Sequence, residues 1–305
     1  MSSRLQRMLR QAELVLRRRR SVRAARHAAQ APSLPPVSPV WPLPIRGDGW
    51  SATALQQRLD AFPEWHYAFR FDAGVGVEVR YRSGAPARAA DHPLQRFAHF
   101  MPPLLAAAGG SLTGKRVLDI ACNAGFWSIQ CALLGAAEVV GFDGRPELVE
   151  QARLLQSVVG ARCARFECLD FFDMTPARLG TFDVVLNLGL LYHLPDPLDV
   201  LRRSLAMTSR LMLLDTMLDP RTEALVKLRW EMPVDVRMAT RDGIVAYPTR
   251  KAVHLMLRHL GAASVTEIPV RSMQVPGVYL EGRRASWLIE TAAAGPPLDV
   301  PSASV

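Results

Sequence analysis

Two hydrophobic patterns alternate along the central part of the chain. Short apolar runs that suit buried strands are separated by longer segments whose apolar residues recur at helical spacing. Such alternation predicts a parallel sheet with right-handed crossovers. The predicted strands are RVLDIA, EVVGFDG, ARFECLD, TFDVVLNLG and RLMLLDTML, and the predicted helices are FWSIQCALLGA, PELVEQARLLQSVV, a short one near TPARL, and PLDVLRRSLAMT.

The pattern is less regular on either side of this region. Before it, SATALQQRLDAF suits a helix, PEWHYAFRF is an aromatic cluster, VGVEVRY alternates like a strand, and a long helix is expected from His92 to Ala108. After it, an irregular stretch lasts to about Tyr247, TRKAVHLMLRHLGA predicts a helix that stops at Gly261, and SVTEIPV and ASWLIET predict two final strands. The predicted fold class is α/β, with a doubly wound, mostly parallel, Rossmann-like sheet of seven strands.

Composition divides the chain into segments. Residues 1–30 form a predicted basic helical tail, and residues 31–48 carry six prolines that predict an extended linker. Residues 49–110 are expected to form an N-terminal cap, so that the folded body begins near Trp50. Residues 111–305 form the predicted main domain, with an insertion at about 216–250.

The net charge of +9 is concentrated in the tail. Residues 1–30 hold nine arginines and one glutamate, which leaves the other 275 residues close to neutral. A near-neutral body argues against the basic groove that a nucleic-acid enzyme needs. The excess of arginine over lysine is typical of a GC-rich bacterial genome, and no apolar run reaches the roughly 20 residues that cross a bilayer.

The four cysteines form no CxxC pair and have no histidine partners at zinc spacing. We therefore expect no metal site, and we expect reduced thiols in a cytoplasmic protein.

The turn after the first predicted strand, in the stretch VLDIACNAGFWS, is the strongest candidate for a ligand site. Ligands of open parallel sheets bind beyond the carboxyl ends of the strands, at the switch point. Ala121, Asn123 and Gly125 are small or tolerate left-handed dihedral angles, so the backbone can approach a ligand closely. About 20 residues later a strand ends in Asp143, which can accept hydrogen bonds from two ribose hydroxyls. The third strand ends at Leu169 and Asp170, which suits an adenine amine.

These residues, LDIACNAG with Asp143 and Asp170, resemble the pattern of class I methyltransferases, whose ligand is S-adenosylmethionine. The segment FDVVLNLGLLYHLPDPLDVLRRS resembles the fourth-strand motif of that superfamily, in which the loop after the strand faces the methyl group. The resemblance implies a methyltransferase domain with an N-terminal cap and a C-terminal insertion over the acceptor pocket. The donor-binding residues that it implies are Asp119, Ala121, Asn123, Gly125, Phe126, Asp143, Gly144, Leu169, Asp170, Asn187 and Leu188.

A narrower resemblance covers most of the predicted body. PEWHYAF, LGLLYHLPDPLDVL, YPTRKAVHLMLRHLGA and EGRRASWLIE are similar to segments of the group that includes bacterial wobble-uridine tRNA carboxymethyltransferases. In that group lysines, a tyrosine and an arginine hold the extra carboxylate of a carboxylated donor. Tyr192 and Arg284 match, but the aromatic cluster has no lysine. An incompletely paired buried charge is penalised, so plain S-adenosylmethionine is the predicted donor.

Each candidate residue on the acceptor side of the site has two possible roles. His193 and Tyr192 are the predicted catalytic residues, because an imidazole near the methyl group can remove a proton from a hydroxyl, but His193 can equally be structural. Trp65, His66 and Tyr67 either cover the pocket or pack the cap on the core. Arg237 and Arg284 either bind an anionic substrate group or are solvated.

Three functions follow from these residues. The first is a methyltransferase that acts on a small molecule, the second is a tRNA wobble-uridine modifying enzyme, and the third is a non-catalytic protein that binds S-adenosylmethionine. The basic tail is expected to contact an anionic surface and to be dispensable for methyl transfer.

Overall fold

A computed structural model of the protein describes residues 34, 36–86, 90–232 and 243–291. The predicted basic tail and Arg237 lie outside the described residues. The described helices are α1 (Ala52–Asp60), α2 (His92–Ala107), α3 (Phe126–Leu133), α4 (Pro146–Val159), α5 (Pro176–Leu179), α6 (Pro197–Ala206), α7 (Arg250–His259) and α8 (Gly277–Leu280). The strands are β1 (Phe69–Arg70), β2 (Gly76–Val77), β3 (Arg116–Ile120), β4 (Glu138–Asp143), β5 (Ala164–Cys168), β6 (Phe182–Leu188), β7 (Thr208–Met217), β8 (Val226–Trp230), β9 (Ile244–Pro248), β10 (Ala262–Glu267) and β11 (Arg284–Thr291).

Seven of these strands form the central sheet, in the order β10-β11-β7-β6-β3-β4-β5. The five strands from β7 to β5 are parallel, and β11 runs antiparallel to both β7 and β10. The chain builds the sheet outward from β3 through β4 and β5, and then returns to the other side of β3 with β6. The switch point therefore lies between β3 and β6, and the predicted doubly wound α/β fold is confirmed.

Both faces of the sheet are covered, which explains why its strands read as nearly continuous apolar runs. Val117 of β3 faces one apolar cluster, which also contains the aromatic residues of the cap. Leu118 and Ile120 face a second cluster, which is formed with α6 and α7. Among the described helices, none is both long enough and apolar enough to cross a membrane.

The proline-rich segment differs from its prediction as a linker. Leu43 is 1% exposed, and its backbone N–H donates to the carbonyl of Arg70 at 2.8 Å. The backbone of Val40 exchanges hydrogen bonds of 2.9 and 3.0 Å with the side-chain amide of Gln130. The folded body therefore begins before Trp50, because apolar residues between the prolines reach the core.

Two further regions differ from their predicted patterns. VGVEVRY contributes only the two-residue strand β2, paired with β1, and an isolated bridge that joins Arg80 to Trp65. In the stretch expected to be irregular, β8 and β9 form an antiparallel hairpin with Trp230 opposite Ile244. All the side chains of β8 are exposed. The strand therefore lacks the alternation of apolar and polar residues from which a sequence predicts a strand.

A buried cluster of charged groups fixes the cap to the sheet. Asp215 in β7 is fully buried, and its Oδ1 accepts hydrogen bonds of 2.7 Å from Arg96 in α2 and from Nε of Arg284 in β11. The hydroxyls of Tyr279 and Ser286 donate to its Oδ2 at 2.5 and 2.7 Å. We call these five residues the Asp215 cluster. The cluster joins α2, β7, α8 and β11. Two of its members, Arg96 and Asp215, are 119 residues apart in sequence.

Electrostatics keep this aspartate ionised. Burial alone would raise the pKa of Asp215, but the guanidinium groups of Arg284 and Arg96 hold that pKa well below its usual range. The carboxylate thus balances one of two buried positive charges.

Replacing Asp215 by alanine should destabilise the fold by about 3–5 kcal/mol, because it leaves two buried guanidinium groups without their carboxylate. The free energy of unfolding, measured with a chemical denaturant, tests this. Ser286→Ala is the matched control, since it removes one hydrogen bond to the same carboxylate but leaves every charge in place, and it should cost less, about 1.5–3 kcal/mol. Equal losses for the two variants would contradict the charge argument.

Candidate functional site

The turn after β3 has the conformation that close approach to a ligand requires. Ala121 and Asn123 have φ of 55° and 53°, and they are the non-glycine residues with positive φ in the described part of the chain. Asn123 is held locally, since its Oδ1 accepts the backbone N–H of Ala124 at 2.7 Å. At Gly125 a Cβ would lie 2.9 Å from the ring of Phe166, so only glycine allows α3 to sit this close to the sheet.

Asp143 at the end of β4 lies beside this turn. Its Oδ2 accepts the backbone N–H of Asn123 at 3.1 Å, and its Oδ1 accepts the backbone N–H of Arg145 at 3.1 Å. The residue is 3% exposed, and burial raises the pKa of its carboxyl, against the opposing charge of Arg145. The acid therefore both orders the turn and faces the crevice.

A cavity opens at the carboxyl ends of the strands, next to this turn. It is lined by most of the residues that the sequence assigns to the site. These are His66, Tyr67, Ala121, Asn123, Asp143, Gly144, Leu169, Asp170, Leu188, Tyr192, His193 and Arg284. Asp170 also caps the short helical turn that follows it, where its Oδ1 accepts the backbone N–H of Phe172 at 2.9 Å.

Among the predicted site residues that the structure describes, five do not line this cavity. Trp65 is fully buried in the core, where its indole N–H donates to the carbonyl of Leu59 at 3.1 Å, so it packs the cap instead of facing the pocket. Gly125 and Phe126 shape the start of α3 beneath the turn. Asp119 and Asn187 lie below the cavity, each with a hydrogen bond to a buried serine.

Asp119 illustrates the supporting role. Its Oδ2 accepts the hydroxyl of Ser128 at 2.7 Å and the backbone N–H of Ser128 at 3.1 Å. Burial raises the pKa of Asp119 to about 7, and the nearby charge of Asp143 adds to that rise. These contacts anchor Asp119 to the first turn of α3, directly beneath the ligand turn, so these hydrogen bonds are structural.

Sequence reasoning missed three charged groups at the site, of which Arg145, directly before α4, lines the cavity. Arg96 lines the cavity from α2, and Glu231, which directly follows β8, lies 3.0 Å from Nδ1 of His193. The sequence does contain a signal for Arg96, because it is a lone arginine on the apolar face of a helix that also buries Phe97 and Phe100. The sequence contains no such signal for Glu231, because the strand before it has no buried face.

The sheet topology, the left-handed turn and the strand-end acid together define a nucleoside-binding protein of the doubly wound α/β class. A family model described as "Methyltransferase domain" matches residues 88–267, more than half of the chain. The chain therefore belongs to the methyltransferase domain family, in agreement with the predicted class I S-adenosylmethionine-dependent type.

The curated relatives are similar over a limited region. One "Ubiquinone biosynthesis O-methyltransferase", from Neisseria meningitidis serogroup C (strain 053442), is 36% identical over 91 residues, which are 30% of this chain and 38% of that protein. Another with that name, from Xanthomonas campestris pv. campestris (strain B100), is 37% identical over 116 residues, which are 37% of this chain and 47% of that protein. The chain thus spans less than half the length of these relatives. They do not point specifically to the wobble-uridine group.

Solved structures support the fold. The N-terminal domain of EvdMO1 with S-adenosylhomocysteine bound has a TM-score of 0.61 and 21% identity, over 82% of this chain and 100% of that chain. The [4+2]-cyclase SpnF has a TM-score of 0.50 and 13% identity, over 80% of this chain and 94% of that chain. Because proteins with these different names share the fold, the reaction must be argued from the site.

Replacing Asp143 by alanine should weaken binding of S-adenosylhomocysteine by tenfold or more. The change removes a charged acceptor for the ribose hydroxyls, and hydrogen bonds to charged groups contribute about 1.5–3 kcal/mol each. Isothermal titration calorimetry measures the affinity, with an unfolding curve to show that the variant folds.

Asp173→Ala is the control for this experiment, because Asp173 is an exposed acid in the same region that does not line the cavity. Unchanged affinity in Asp143→Ala would contradict the assignment of the ribose site.

Proposed function

We propose that this protein transfers a methyl group from S-adenosylmethionine to a small-molecule acceptor. The observation that carries the proposal is the strand-end acid Asp143, which faces the cavity beside the left-handed turn at Ala121 and Asn123. The names of the relatives, which describe O-methyltransferases, favour the same chemistry. The bound donor supplies a methyl group on a positively charged sulfur, which is an activated leaving group.

The crevice fits the nucleoside part of this donor. Asp143 accepts backbone hydrogen bonds from Asn123 and Arg145 and has a further backbone contact from Gly144. A carboxylate has roughly four lone-pair sites, so acceptor capacity remains for a ribose hydroxyl. Leu169, Phe171 and Phe172 line the adjoining wall and offer apolar surface to an adenine ring. Asp170 beside them is a candidate acceptor for the adenine amine.

Arg96 fits the other end of the donor, where the methionine part carries a carboxylate. Arg96 and Arg284 share the single carboxylate of Asp215, so one buried positive charge in the Asp215 cluster lacks an anion from that cluster. Nε, Nη1 and Nη2 of Arg96 each have one partner, namely Tyr279, Tyr67 and Asp215. A guanidinium has five donor hydrogens, so two remain for a ligand.

This arrangement supports plain S-adenosylmethionine over a carboxylated donor. Arg284, the arginine that matched the carboxylated-donor pattern, already directs Nε and Nη2 to Asp215. The two guanidinium groups and the carboxylate of Asp215 leave one net positive charge in the cluster, which suits one ligand carboxylate, and a second buried carboxylate would lack a balancing charge from the cluster.

Replacing Arg96 by glutamine should weaken binding of S-adenosylhomocysteine by tenfold or more while changing the affinity for 5′-methylthioadenosine less than threefold. The second compound shares the nucleoside and the sulfur but lacks the amino-acid carboxylate, so it reports whether the nucleoside site is intact. Calorimetry with both compounds separates lost charge pairing from a disturbed fold.

Arg258→Gln is the control, because it makes the same substitution at an exposed arginine that does not line the cavity. If Arg96→Gln weakened both compounds equally, Arg96 would have a structural role only.

A further inference from the structure

A half-buried pair of side chains lies on the acceptor side of the cavity. Nδ1 of His193 is 3.0 Å from Oε2 of Glu231, and each side chain is only 17% exposed. His193 ends the short helical turn Leu191–His193 that follows β6, and it lines the cavity. Glu231 comes from the hairpin of the insertion, 38 residues away in sequence.

The hairpin is fixed in position against this turn. The backbone N–H of Glu231 donates to the carbonyl of Gly243 at 2.7 Å, which continues the hairpin ladder past Trp230. On the opposite strand, the ring of Tyr247 lies 5.5 Å from the ring of Tyr192. The backbone bond fixes Glu231 within the hairpin, and the ring contact packs the hairpin against the turn that carries His193. The contact between Glu231 and His193 is therefore supported on both sides by the fold.

The pair determines which nitrogen of His193 carries the proton. An ionised carboxylate accepts hydrogen bonds and cannot donate them, so Nδ1 bears the hydrogen and Nε2 keeps its lone pair. Within the described part of the chain, the His193 ring forms no other hydrogen bond. The lone pair of Nε2 is therefore available to a substrate.

The charges around His193 favour its neutral form. Burial lowers the pKa of His193, and the positive charges of Arg145 and Arg284 lower it further, whereas Glu231 raises it. The rings of Tyr192 and Tyr247 also face this region, and burial raises the pKa of the Tyr247 hydroxyl. His193 is consequently a free base at neutral pH.

We infer that Glu231 is a positioning residue that holds His193 as the general base for a hydroxyl acceptor, which makes this protein an O-methyltransferase. The inference rests on the proposed methyl transfer. Nε2 of His193 takes the hydroxyl proton while the oxygen forms a bond to the methyl carbon, and the carbon–sulfur bond breaks with its electron pair staying on sulfur. The products are a methyl ether, neutral S-adenosylhomocysteine and an imidazolium that returns its proton to water.

The hydroxyl is the acceptor class for which this base matters most. A neutral amine attacks through its own lone pair and loses a proton only after the methyl group is transferred. An alcohol is a poor nucleophile until its proton leaves, and a positioned base typically contributes 10²–10⁴-fold to the rate of such a step.

The pair can be tested directly by nuclear magnetic resonance on the full chain saturated with S-adenosylhomocysteine, with ¹⁵N-labelled histidine. His193 should show the tautomer protonated at Nδ1, with a pKa below the ordinary value near 6.5. Glu231→Gln should lower that pKa further, because it removes the anion that stabilises the imidazolium. Glu223→Gln, an exposed carboxylate in the same insertion, should leave the pKa unchanged.

The acceptor class is tested by incubating the protein and S-[methyl-¹⁴C]adenosylmethionine with a bacterial small-metabolite extract and identifying the linkage in labelled products. Methyl ethers are expected, with Glu231→Gln reducing their rate of formation by tenfold or more at unchanged affinity for S-adenosylhomocysteine. Products methylated only on nitrogen or carbon, or a His193 protonated at Nε2, would overturn the inference while leaving methyl transfer intact. A protein that binds S-adenosylhomocysteine and yields no labelled product would overturn the proposed function and the base together.

Discussion

The carboxylate of Asp215 is the point where the separate parts of this protein meet. It lies in a central strand, but its partners come from the cap helix α2, from α8 and from the last strand β11. A buried carboxylate with two arginines costs desolvation, and it stabilises the fold only if its hydrogen bonds are complete. Both oxygens of Asp215 are fully engaged, so the cap can take one position over the strand ends.

The same cluster determines the charge of the cavity that the cap covers. Two guanidinium groups and one carboxylate leave a positive charge next to the nucleoside crevice, whereas the acids that the crevice presents, Asp143 and Asp170, lie at the far strand ends. A donor with a ribose at one end and a carboxylate at the other complements this distribution. The cavity thus presents charged groups from both parts of the site, and Leu169, Phe171 and Phe172 add apolar surface beside Asp170.

The sequence predicts the part of the site whose residues lie close together in the chain. The strand, turn and helix around Asn123, and the strand that ends in Asp143, follow from periodicity and from the dihedral preferences of small residues. Arg96 and Asp215 are 119 residues apart, and no periodic pattern shows that two lone charges in apolar segments will meet. Glu231 is harder still to predict, because β8, the strand that leads to it, is exposed and therefore lacks the apolar alternation by which strands are found.

Arg284 connects the two parts of the site that the sequence could not join. Its guanidinium binds Asp215 in the cluster, and it also lies 5.9 Å from the ring of Tyr192, beside His193. The positive charge that helps to hold the cap in place is therefore one of the charges that keep the imidazole neutral. Asp215 fixes this guanidinium within the sheet, and the same carboxylate binds Arg96 of the cap helix α2. The charge that favours the neutral imidazole and the hydrogen bonds that fix the cap therefore belong to one network, because both depend on the carboxylate of Asp215.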